Sequence, residues 1–437
     1  MNGPIDIEHR THLPWPRILG PRPGLKEINV VCWALFCMCI VAPSVVIFTM
    51  QMRAGNLSVD FVYFYGIGQI AKTHPAIDVY DYRLQQDVFN KIQPKHDGLY
   101  GPSPYPPFVS QFFRLFATLS FEHAFFLWSA ISLVLYLAGI TLALRAFFPD
   151  DPLTQSLVSC LALAFSPFLV NTIGNGQLSS IGFFFLVLAL LAERRSRPIL
   201  SGLALSVLIY KPTLLLIFLP MLVITRRLKT LLGLTAGAGA LFLIATFLGG
   251  VRIWPTYLHF IDSFGRASGI HGQSSLRLWK YVDLNSFSYA VRDGRSRIAL
   301  AFLVSFVMAV AIWAGVAWWK SAGDNDPQQS LAWAAAIAWT MLVNVYVPIY
   351  DSILIVIAII ISLSALRRLK WMRARDWVVF LAVSMFAIAW MTEPVAKRYG
   401  VQLLTLALLA FAVTITYLLQ RASRTIPVRA RVVAVTV

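Results

Sequence analysis

The sequence predicts an all-α integral membrane protein that crosses the bilayer many times. Of its 437 residues, 58% are hydrophobic and 13% are charged, and the mean hydropathy is +0.69. A soluble domain carries about 25% charged residues, so a single water-facing core could not bury this much apolar surface. Apolar runs long enough to span a bilayer recur from Val30 to Gln420, which is therefore the predicted transmembrane domain, residues 30–420.

Twelve apolar segments are predicted to cross the membrane. These segments are Val30–Met50, His123–Phe147, Leu153–Val170, Gln177–Ala192, Ile199–Tyr210, Thr213–Thr225, Leu231–Leu248, Ile298–Trp319, Leu331–Val347, Ser352–Leu366, Trp377–Met391 and Val401–Leu419. An even number of crossings puts both termini on the same side. The first segment follows a Pro- and Arg-rich stretch, residues 1–29, and is predicted to be an uncleaved signal anchor.

Short loops rich in Lys and Arg predict which side of the membrane is cytoplasmic. Four dense basic clusters share one side of the predicted topology: Arg194–Arg197, Arg226–Lys229, Arg367–Arg375 and Arg421–Arg431. Two long loops, residues 51–122 and 249–297, lie on the other side. Because short basic loops remain in the cytoplasm, the segment 1–29 and the tail 421–437 are predicted to be cytoplasmic. The long loops then face outward from a plasma or inner membrane.

The stretch Ile199–Thr225 decides between two topologies, because Lys211-Pro212 lies at its centre. A single crossing here would place the cluster Arg367–Arg375 outside, whereas a hairpin keeps every basic cluster inside. We therefore predict a hairpin. Each arm of about 13 residues reaches about 20 Å, against a hydrocarbon thickness of about 30 Å. Lys211 would lie at a sunken apex, where a lysine must line a wet cavity or meet an anion.

Charge and cysteine usage exclude several function classes. The formal net charge of +17 is distributed in clusters between apolar runs, as topology requires, so nucleic-acid binding is not indicated. The four cysteines, Cys32, Cys37, Cys39 and Cys160, all lie inside apolar segments. That placement predicts neither a disulfide framework nor a metal site.

The first long loop begins with the run Asp60–Tyr65, just past the first predicted span. An acid beside aromatic residues at the membrane surface can act as a general base toward a hydroxyl. The alternative is that Asp60 is a helix N-cap or a solvated loop acid. The loop continues with Tyr80-Asp81 and ends in Tyr105–Pro107, where the prolines predict an extended approach to a helix from about Phe108. Its aromatic residues, and Trp128 beyond it, also suit an interfacial belt.

Further polar residues are predicted to lie on the same outer side. Asn175 and Gln177 occupy a glycine-flanked turn and could hydrogen-bond a sugar, although a simple turn needs no function. Asp351 follows Tyr350 at the edge of an apolar run, so it should face a polar cavity or substrate, or pair with a base such as Lys397 or Arg398. The second long loop offers donors that suit phosphate recognition, or equally a solvated face: Arg266, Gln273, Ser274 and Lys280.

In their order along the chain, these motifs resemble glycosyltransferase family 87, polytopic enzymes of the GT-C fold. That family has an Asp-Phe-x-x-Tyr element, a Tyr-Asp pair, a Tyr-Pro-Pro unit, a Gly-Gln turn, a central Lys-Pro and a late Tyr-Asp. The matching elements here are Asp60–Tyr63, Tyr80-Asp81, Tyr105–Pro107, Gly176-Gln177, Lys211-Pro212 and Tyr350-Asp351. Two departures occur: the first element is one residue short unless Phe64-Tyr65 supplies its aromatic, and Gly272 replaces the Asn of a family Asn-Gln-Ser element.

The resemblance implies an inverting transfer of a sugar, typically mannose, from a polyprenyl-phosphate donor to a lipid or glycan hydroxyl on the extracytoplasmic face. Asp60 matches the family's proposed general base. Lys211 is the first choice to stabilise the leaving phosphate, ahead of Arg266 and Lys280. The resemblance implies no nucleotide site and no cofactor, and the lack of a glycine-rich phosphate loop agrees with this. The outer acids are too scattered to predict a metal. The remaining predicted substrate-binding residues are Tyr63, Tyr80, Asp81, Tyr105, Asn175, Gln177, Gln273, Ser274, Tyr350 and Asp351.

Two other functions remain compatible with the same residues. A transporter or lipid-linked-sugar flippase would also suit an intramembrane Lys211 and an acid-bearing outer loop. A transporter is expected to show paired repeats, however, and Lys211-Pro212 has no counterpart in the second half. In a non-catalytic membrane scaffold, Asp60 would be a cap and Lys211 a paired structural charge.

Overall fold

The computed structural model describes residues 58–94, 100–270, 278–292, 297–322, 326–345 and 347–425, together with the single positions Val31, Leu35, Val46 and Met50. Across these ranges the protein is helical and contains no β-strand beyond an isolated bridge between Tyr281 and Pro348. The predicted first span, Val30–Met50, lies outside the described residues except for those four positions. The N-terminal segment 1–29 and the end of the tail, residues 426–437, also lie outside them.

Sixteen α-helices are numbered here in chain order across the described ranges. They are α1 (Phe61–Thr73), α2 (Tyr82–Ile92), α3 (Pro107–Phe116), α4 (Phe121–Phe147), α5 (Pro152–Ala164), α6 (Ser179–Arg194), α7 (Pro198–Ser206), α8 (Phe218–Ile224), α9 (Leu228–Gly249), α10 (Ile253–Ile270), α11 (Leu284–Arg292), α12 (Arg297–Lys320), α13 (Asp326–Leu342), α14 (Ile355–Arg368), α15 (Met372–Tyr399) and α16 (Leu403–Thr425). Short 3₁₀ segments join several of them, and a π-helix, Pro167–Gly174, follows α5.

The helices confirm a polytopic membrane protein. Among the described residues, six helical segments are long and apolar enough to cross a bilayer, or up to seven if α5 and the π-helix, bent by 52°, form one span. Helices α6 and α13 are shorter, with 16 and 17 residues. Every segment predicted from His123 onward overlaps helix, but the total of twelve crossings stays a prediction.

One end of the bundle, which we call the basic end, collects most of the predicted cytoplasmic clusters. Arg227 pairs with Glu193 at 2.5 Å, Arg367 pairs with Asp151 at 3.0 Å, and Arg368 pairs with Asp326. Helices α6 and α14 end there, while α5, α9 and α13 begin there. Consecutive spans therefore alternate in direction, and the opposite end, which we call the loop end, carries α1 to α3.

The predicted hairpin around Lys211 is confirmed by the packing of α7 on α9. A Cβ atom on Gly202 would lie 2.0 Å from the Thr230 carbonyl oxygen, and one on Gly233 would lie 2.1 Å from the Ile199 carbonyl oxygen. The first turn of α7 thus contacts the first turn of α9, so the two helices start at the same end and run parallel. The chain between them must therefore reverse its direction, which makes residues 198–224 a hairpin whose two ends lie at the basic end.

This close approach predicts an effect on stability. Gly202→Ala should lower the free energy of unfolding by about 1–3 kcal/mol, since the added methyl group would meet backbone that cannot move aside. Gly239→Ala on α9, the helix that Gly202 packs against, is the matched control, because nothing lies within 4 Å of its Cβ position. That variant should be neutral or slightly stabilising. Thermal unfolding of both variants in detergent tests the packing, and equal midpoints would contradict it.

The first long loop contains three packed helices. Helix α1 packs against α3, where a Cβ on Gly68 would lie 2.4 Å from the Phe113 carbonyl oxygen. Aromatic rings fill the interface, with Phe64 stacked on Phe113 at 5.3 Å between centroids. Helix α3 starts at Pro107 behind an extended Pro106, close to the predicted start at Phe108. The loop end therefore has a fixed scaffold on which to place polar side chains.

Candidate active site

An ion pair at the apex of the hairpin forms the centre of the site. Lys211 separates two 3₁₀ turns, Val207–Tyr210 and Pro212–Leu215, and its Nζ pairs with Oδ2 of Asp351. Oδ1 of Asp351 accepts a hydrogen bond of 2.8 Å from the Ser179 hydroxyl. The predicted pairing of Asp351 with Lys397 or Arg398 is therefore wrong. Lys397 instead lies over the Trp279 ring, 4.1 Å from its centroid.

The environment of this pair leaves the lysine able to bind an anion. Its side chain is 17% exposed, whereas that of Asp351 is 1% exposed. The Nζ lies 5.2 Å from the centroid of the Tyr350 ring, in range for a cation–π contact. An ammonium group has three N–H donors, and Asp351 is its one hydrogen-bond acceptor among the described residues. Two donors remain for an incoming ligand.

Tyr105 links the ion pair to the first long loop. Its hydroxyl lies close to the side chain of Tyr350. Desolvation raises the pKa of the Tyr105 phenol well above its usual value, and the nearby carboxylates of Asp351 and Asp60 raise it further. The Tyr80 hydroxyl donates to the Tyr105 carbonyl at 2.9 Å and holds the segment in place. Tyr105 thus lies near both Asp60 and Asp351, which are far apart in the sequence.

Asp60 directly precedes α1 and is half-buried. It occupies the N-cap position, yet its side chain makes no capping hydrogen bond. Its carboxylate acts on a neighbouring phenol instead: burial raises the pKa of Tyr100, and Tyr63 and Asp60 raise that pKa further. The interpretation of Asp60 as a simple capping residue is therefore not supported. A half-buried carboxylate that makes no capping bond can accept a proton from a substrate.

The glycine turn that follows the π-helix packs against the segment around Asp60. The Ser58 N–H donates to the Gly174 carbonyl at 3.1 Å. Gly176 has a φ of +76°, and a Cβ there would lie 2.7 Å from the Phe61 Cβ, so glycine is required for two reasons. Trp128 donates its indole N–H to the Gly176 carbonyl at 3.0 Å and is fully buried, so its predicted place in an interfacial belt is wrong.

The two predicted polar residues of this turn differ in burial. Gln177 is 4% exposed, and its side-chain oxygen has no hydrogen-bond partner among the described residues. Asn175 is half-buried. Buried polar groups are normally hydrogen-bonded, so the Gln177 oxygen is available to a ligand beside Asp60.

Two other predicted residues have clear structural roles. The Tyr63 hydroxyl accepts from the Gly101 N–H at 3.2 Å, and its ring packs on Tyr100 at 5.5 Å between centroids. Asp81 is exposed and caps α2, accepting from the N–H groups of Arg83 at 2.9 Å and Leu84 at 3.2 Å. The predicted substrate contacts of Tyr63 and Asp81 remain predictions.

The second long loop reaches the site through its later part. Tyr281 bridges to Pro348, and the Val282 N–H donates to the Val347 carbonyl at 2.8 Å, beside Tyr350. Lys280 precedes this bridge, with its Nζ 5.5 Å from the centroid of the Trp279 ring. Arg266 belongs to α10. Gln273 and Ser274 lie outside the described residues.

Four residues of the site were not predicted from the sequence. Ser179 orients Asp351, Tyr210 packs beside it against Gly182, and Tyr100 lies near Asp60. Asp283 is fully buried and accepts from the Val347 N–H at 2.8 Å, which ties the second loop to the site. Burial raises the Asp283 pKa. Adjacency to Lys211 was a usable signal for Tyr210, but nothing in the sequence marks Ser179.

Within the described ranges, no group of three or more His, Cys, Asp and Glu side chains is placed to hold a metal ion. Cys160, the one cysteine in these ranges, forms no disulfide within them. The arrangement thus brings a carboxylate, a lysine and several tyrosine side chains together at the loop end.

Comparison with known protein families agrees with this arrangement. The profile of glycosyltransferase family 87 matches residues 104–348, more than half of the chain, and the match includes Tyr105, Ser179 and Lys211. Neither the curated proteins nor the solved structures gave a significant match. The fold is an α-helical membrane bundle, and the matched region contains the hairpin and its lysine. The chain belongs to glycosyltransferase family 87.

Proposed function

We propose that this membrane glycosyltransferase moves a hexose, mannose in the first instance, from a polyprenyl-phosphate donor to a lipid or glycan hydroxyl. The transfer inverts the anomeric centre and takes place at the loop end, on the extracytoplasmic face of the cell membrane. The helices would then form a GT-C arrangement of twelve spans. The observation that carries the proposal is the convergence of Asp60, Tyr105, Lys211 and Asp351 at that end, within a family whose members transfer sugars.

The acceptor hydroxyl needs a base when it attacks the anomeric carbon. Asp60 supplies the carboxylate, since no capping bond occupies it. As the new C–O bond forms, the proton passes to Asp60 and the bond from the sugar to the lipid phosphate breaks. Gln177, with its unpartnered oxygen, offers the sugar a hydrogen bond close to this carboxylate.

The leaving lipid phosphate gains negative charge in a site of low dielectric, where a fixed cation has its largest effect. Lys211 supplies that cation. Asp351, which accepts a hydrogen bond from Ser179, holds the ammonium in place, and two N–H groups remain for the phosphate oxygens. We propose that Lys280, which precedes the bridge to Pro348, assists from the second loop.

The experiment that tests the proposed function compares two donors. Membranes that contain the protein should transfer labelled mannose from polyprenyl-phosphate mannose into lipid or glycan products, in the absence of any nucleotide sugar. A flippase would move the donor without forming a new glycosidic bond. Label that enters products only from a nucleotide sugar would overturn the proposed donor.

The proposed orientation has its own test. Single cysteines at positions 95 and 285 should react with an impermeant thiol reagent added outside, because they belong to the two long loops. Cysteines at positions 196 and 372, in basic loops, should stay unlabelled until the membrane is opened. The reverse labelling pattern would invert the topology and move the site to the cytoplasmic face.

A further inference from the structure

A cavity opens at the basic end, at the opposite end of the bundle from the Lys211 site. Its volume is about 490 Å³, and it lies between α4, α6, α9, α13 and α14. Small-molecule sites usually enclose about 300–1,000 Å³. Phe147, Leu190 and Ile361 give it an apolar side, and Arg194 and Lys229 give it a cationic rim. The cavity is thus large enough for an organic anion with an apolar part.

The two carboxylates that line the cavity are already neutralised. Glu193, 8% exposed, accepts from Arg227 and from the Thr230 hydroxyl, each at 2.5 Å. Asp326 pairs with Arg368. The carboxylates therefore do not repel an incoming anion, and the rim retains positive charge.

Among the described residues, the two rim cations have no acceptor within hydrogen-bond distance. The nearest carboxylate oxygen to Arg194 belongs to Asp326 and lies 3.9 Å away, beyond hydrogen-bond distance. The Arg194 guanidinium lies over the Phe147 ring, 4.9 Å from its centroid, and this cation–π contact helps to hold it in place. No hydrogen-bond acceptor for Lys229 occurs in the part of the chain that the structure describes. A guanidinium held in this way suits bidentate binding of phosphate or carboxylate.

An unpartnered donor among the residues that line the cavity points independently to a ligand. Trp333 lines the cavity and is 1% exposed, yet its indole N–H has no hydrogen-bond partner among the described residues. Buried indole N–H groups usually find an acceptor. A ligand that carries acceptor oxygens would satisfy this donor.

We propose that the cavity at the basic end binds a phosphate-bearing anion, either a phospholipid headgroup or a free phosphate ester. The phosphate accepts hydrogen bonds from Arg194 and Lys229, and the organic part lies against Phe147 and Leu190. Trp333 donates to an oxygen deeper in the cavity. Basic pockets between transmembrane helices recognise anionic headgroups by the same chemistry. The site is separate from the sugar-transfer site and does not depend on the proposed function.

The test uses the purified full-length protein in nanodiscs of phosphatidylcholine. Phosphatidylglycerol is introduced in steps in one arm, and glycerol 3-phosphate is titrated in the other. Thermal unfolding reports binding, because a ligand that binds only the folded state raises the unfolding midpoint. The variant Arg194→Gln with Lys229→Gln should keep its fold, since Asp326 retains Arg368. Arg145→Gln, an exposed arginine at the same end of α4, is the matched control.

The wild type and Arg145→Gln should be stabilised alike by phosphatidylglycerol or glycerol 3-phosphate. The double variant should need at least about tenfold more ligand, as expected for the loss of one charge-assisted hydrogen bond. A response to the lipid alone identifies a headgroup site, and a response to both identifies a general phosphate-ester site. Equal stabilisation of the double variant and Arg145→Gln, or no stabilisation of the wild type by either ligand, would overturn the proposal.

Discussion

Asp60→Asn should reduce sugar transfer by about a hundredfold or more, within the range of about 10²–10⁴ that general-base catalysis contributes. The amide keeps the size of the side chain and can still accept a hydrogen bond, but it cannot take the acceptor's proton. Helix α1 should be unaffected, because the Asp60 side chain makes no capping bond in the wild type. The measurement is transfer of labelled sugar from a polyprenyl-phosphate donor in membranes.

Asp87→Asn provides the matched control, since Asp87 is an exposed acid on α2 in the same loop. Its transfer rate should equal that of the wild type, which separates a loss of base from a general loss of negative charge. Donor binding and protein level should stay unchanged in both variants. Near-normal turnover by Asp60→Asn would remove Asp60 from the mechanism and return the transporter and scaffold interpretations to consideration.

The topology around the hairpin could be predicted because membrane insertion leaves a strong signal in composition. Basic clusters on both sides of Ile199–Thr225 required a return of the chain, and the parallel contact of Gly202 with the start of α9 shows that return. Short spans are harder to count from the sequence, since α6 and the arms of the hairpin fall below the length of a standard span. Their ends depend on tertiary contacts and not on hydropathy.

The residue types of the site could also be predicted, but not their pairing. Lys211 and Asp351 were each identified as costly charges near the membrane, yet they are 140 positions apart. The predicted topology favoured Lys397 or Arg398, in the last outer loop, whereas the fold brings the hairpin apex to the start of the 3₁₀ turn Ile349–Leu354. Ser179 could not be found from the sequence at all, because a serine at a helix start is ordinary until its acceptor is known.

The binding site proposed around Arg194 could not be predicted from the sequence either. Basic residues at the cytoplasmic ends of spans are expected for topology alone, so their pattern did not indicate a binding site there. The structure separates arginines that are neutralised, such as Arg227 on Glu193, from Arg194, whose nearest carboxylate oxygen in the described part of the chain lies 3.9 Å away. That distinction depends on distances between helices and has no counterpart in the local sequence.

Lys211→Met should destabilise the protein as well as slow the transfer. The substitution leaves the Asp351 carboxylate buried, with the Ser179 hydroxyl as its remaining side-chain donor among the described residues. Removal of one partner of a buried ion pair typically costs about 3–5 kcal/mol, because the other charge is left uncompensated. The single variant alone therefore cannot distinguish a catalytic lysine from a structural one.

The double variant Lys211→Met with Asp351→Asn makes that distinction. It removes both charges, and the amide oxygen that it introduces at position 351 remains an acceptor for Ser179, so most of the lost stability should return. Transfer should nevertheless remain about 10²–10³-fold below the wild type, the usual effect of removing one donor that stabilises developing charge. Thermal unfolding in detergent and donor turnover in membranes are measured on the same preparations. Recovery of both stability and turnover would show that the ion pair is structural and that the leaving phosphate is stabilised by another residue.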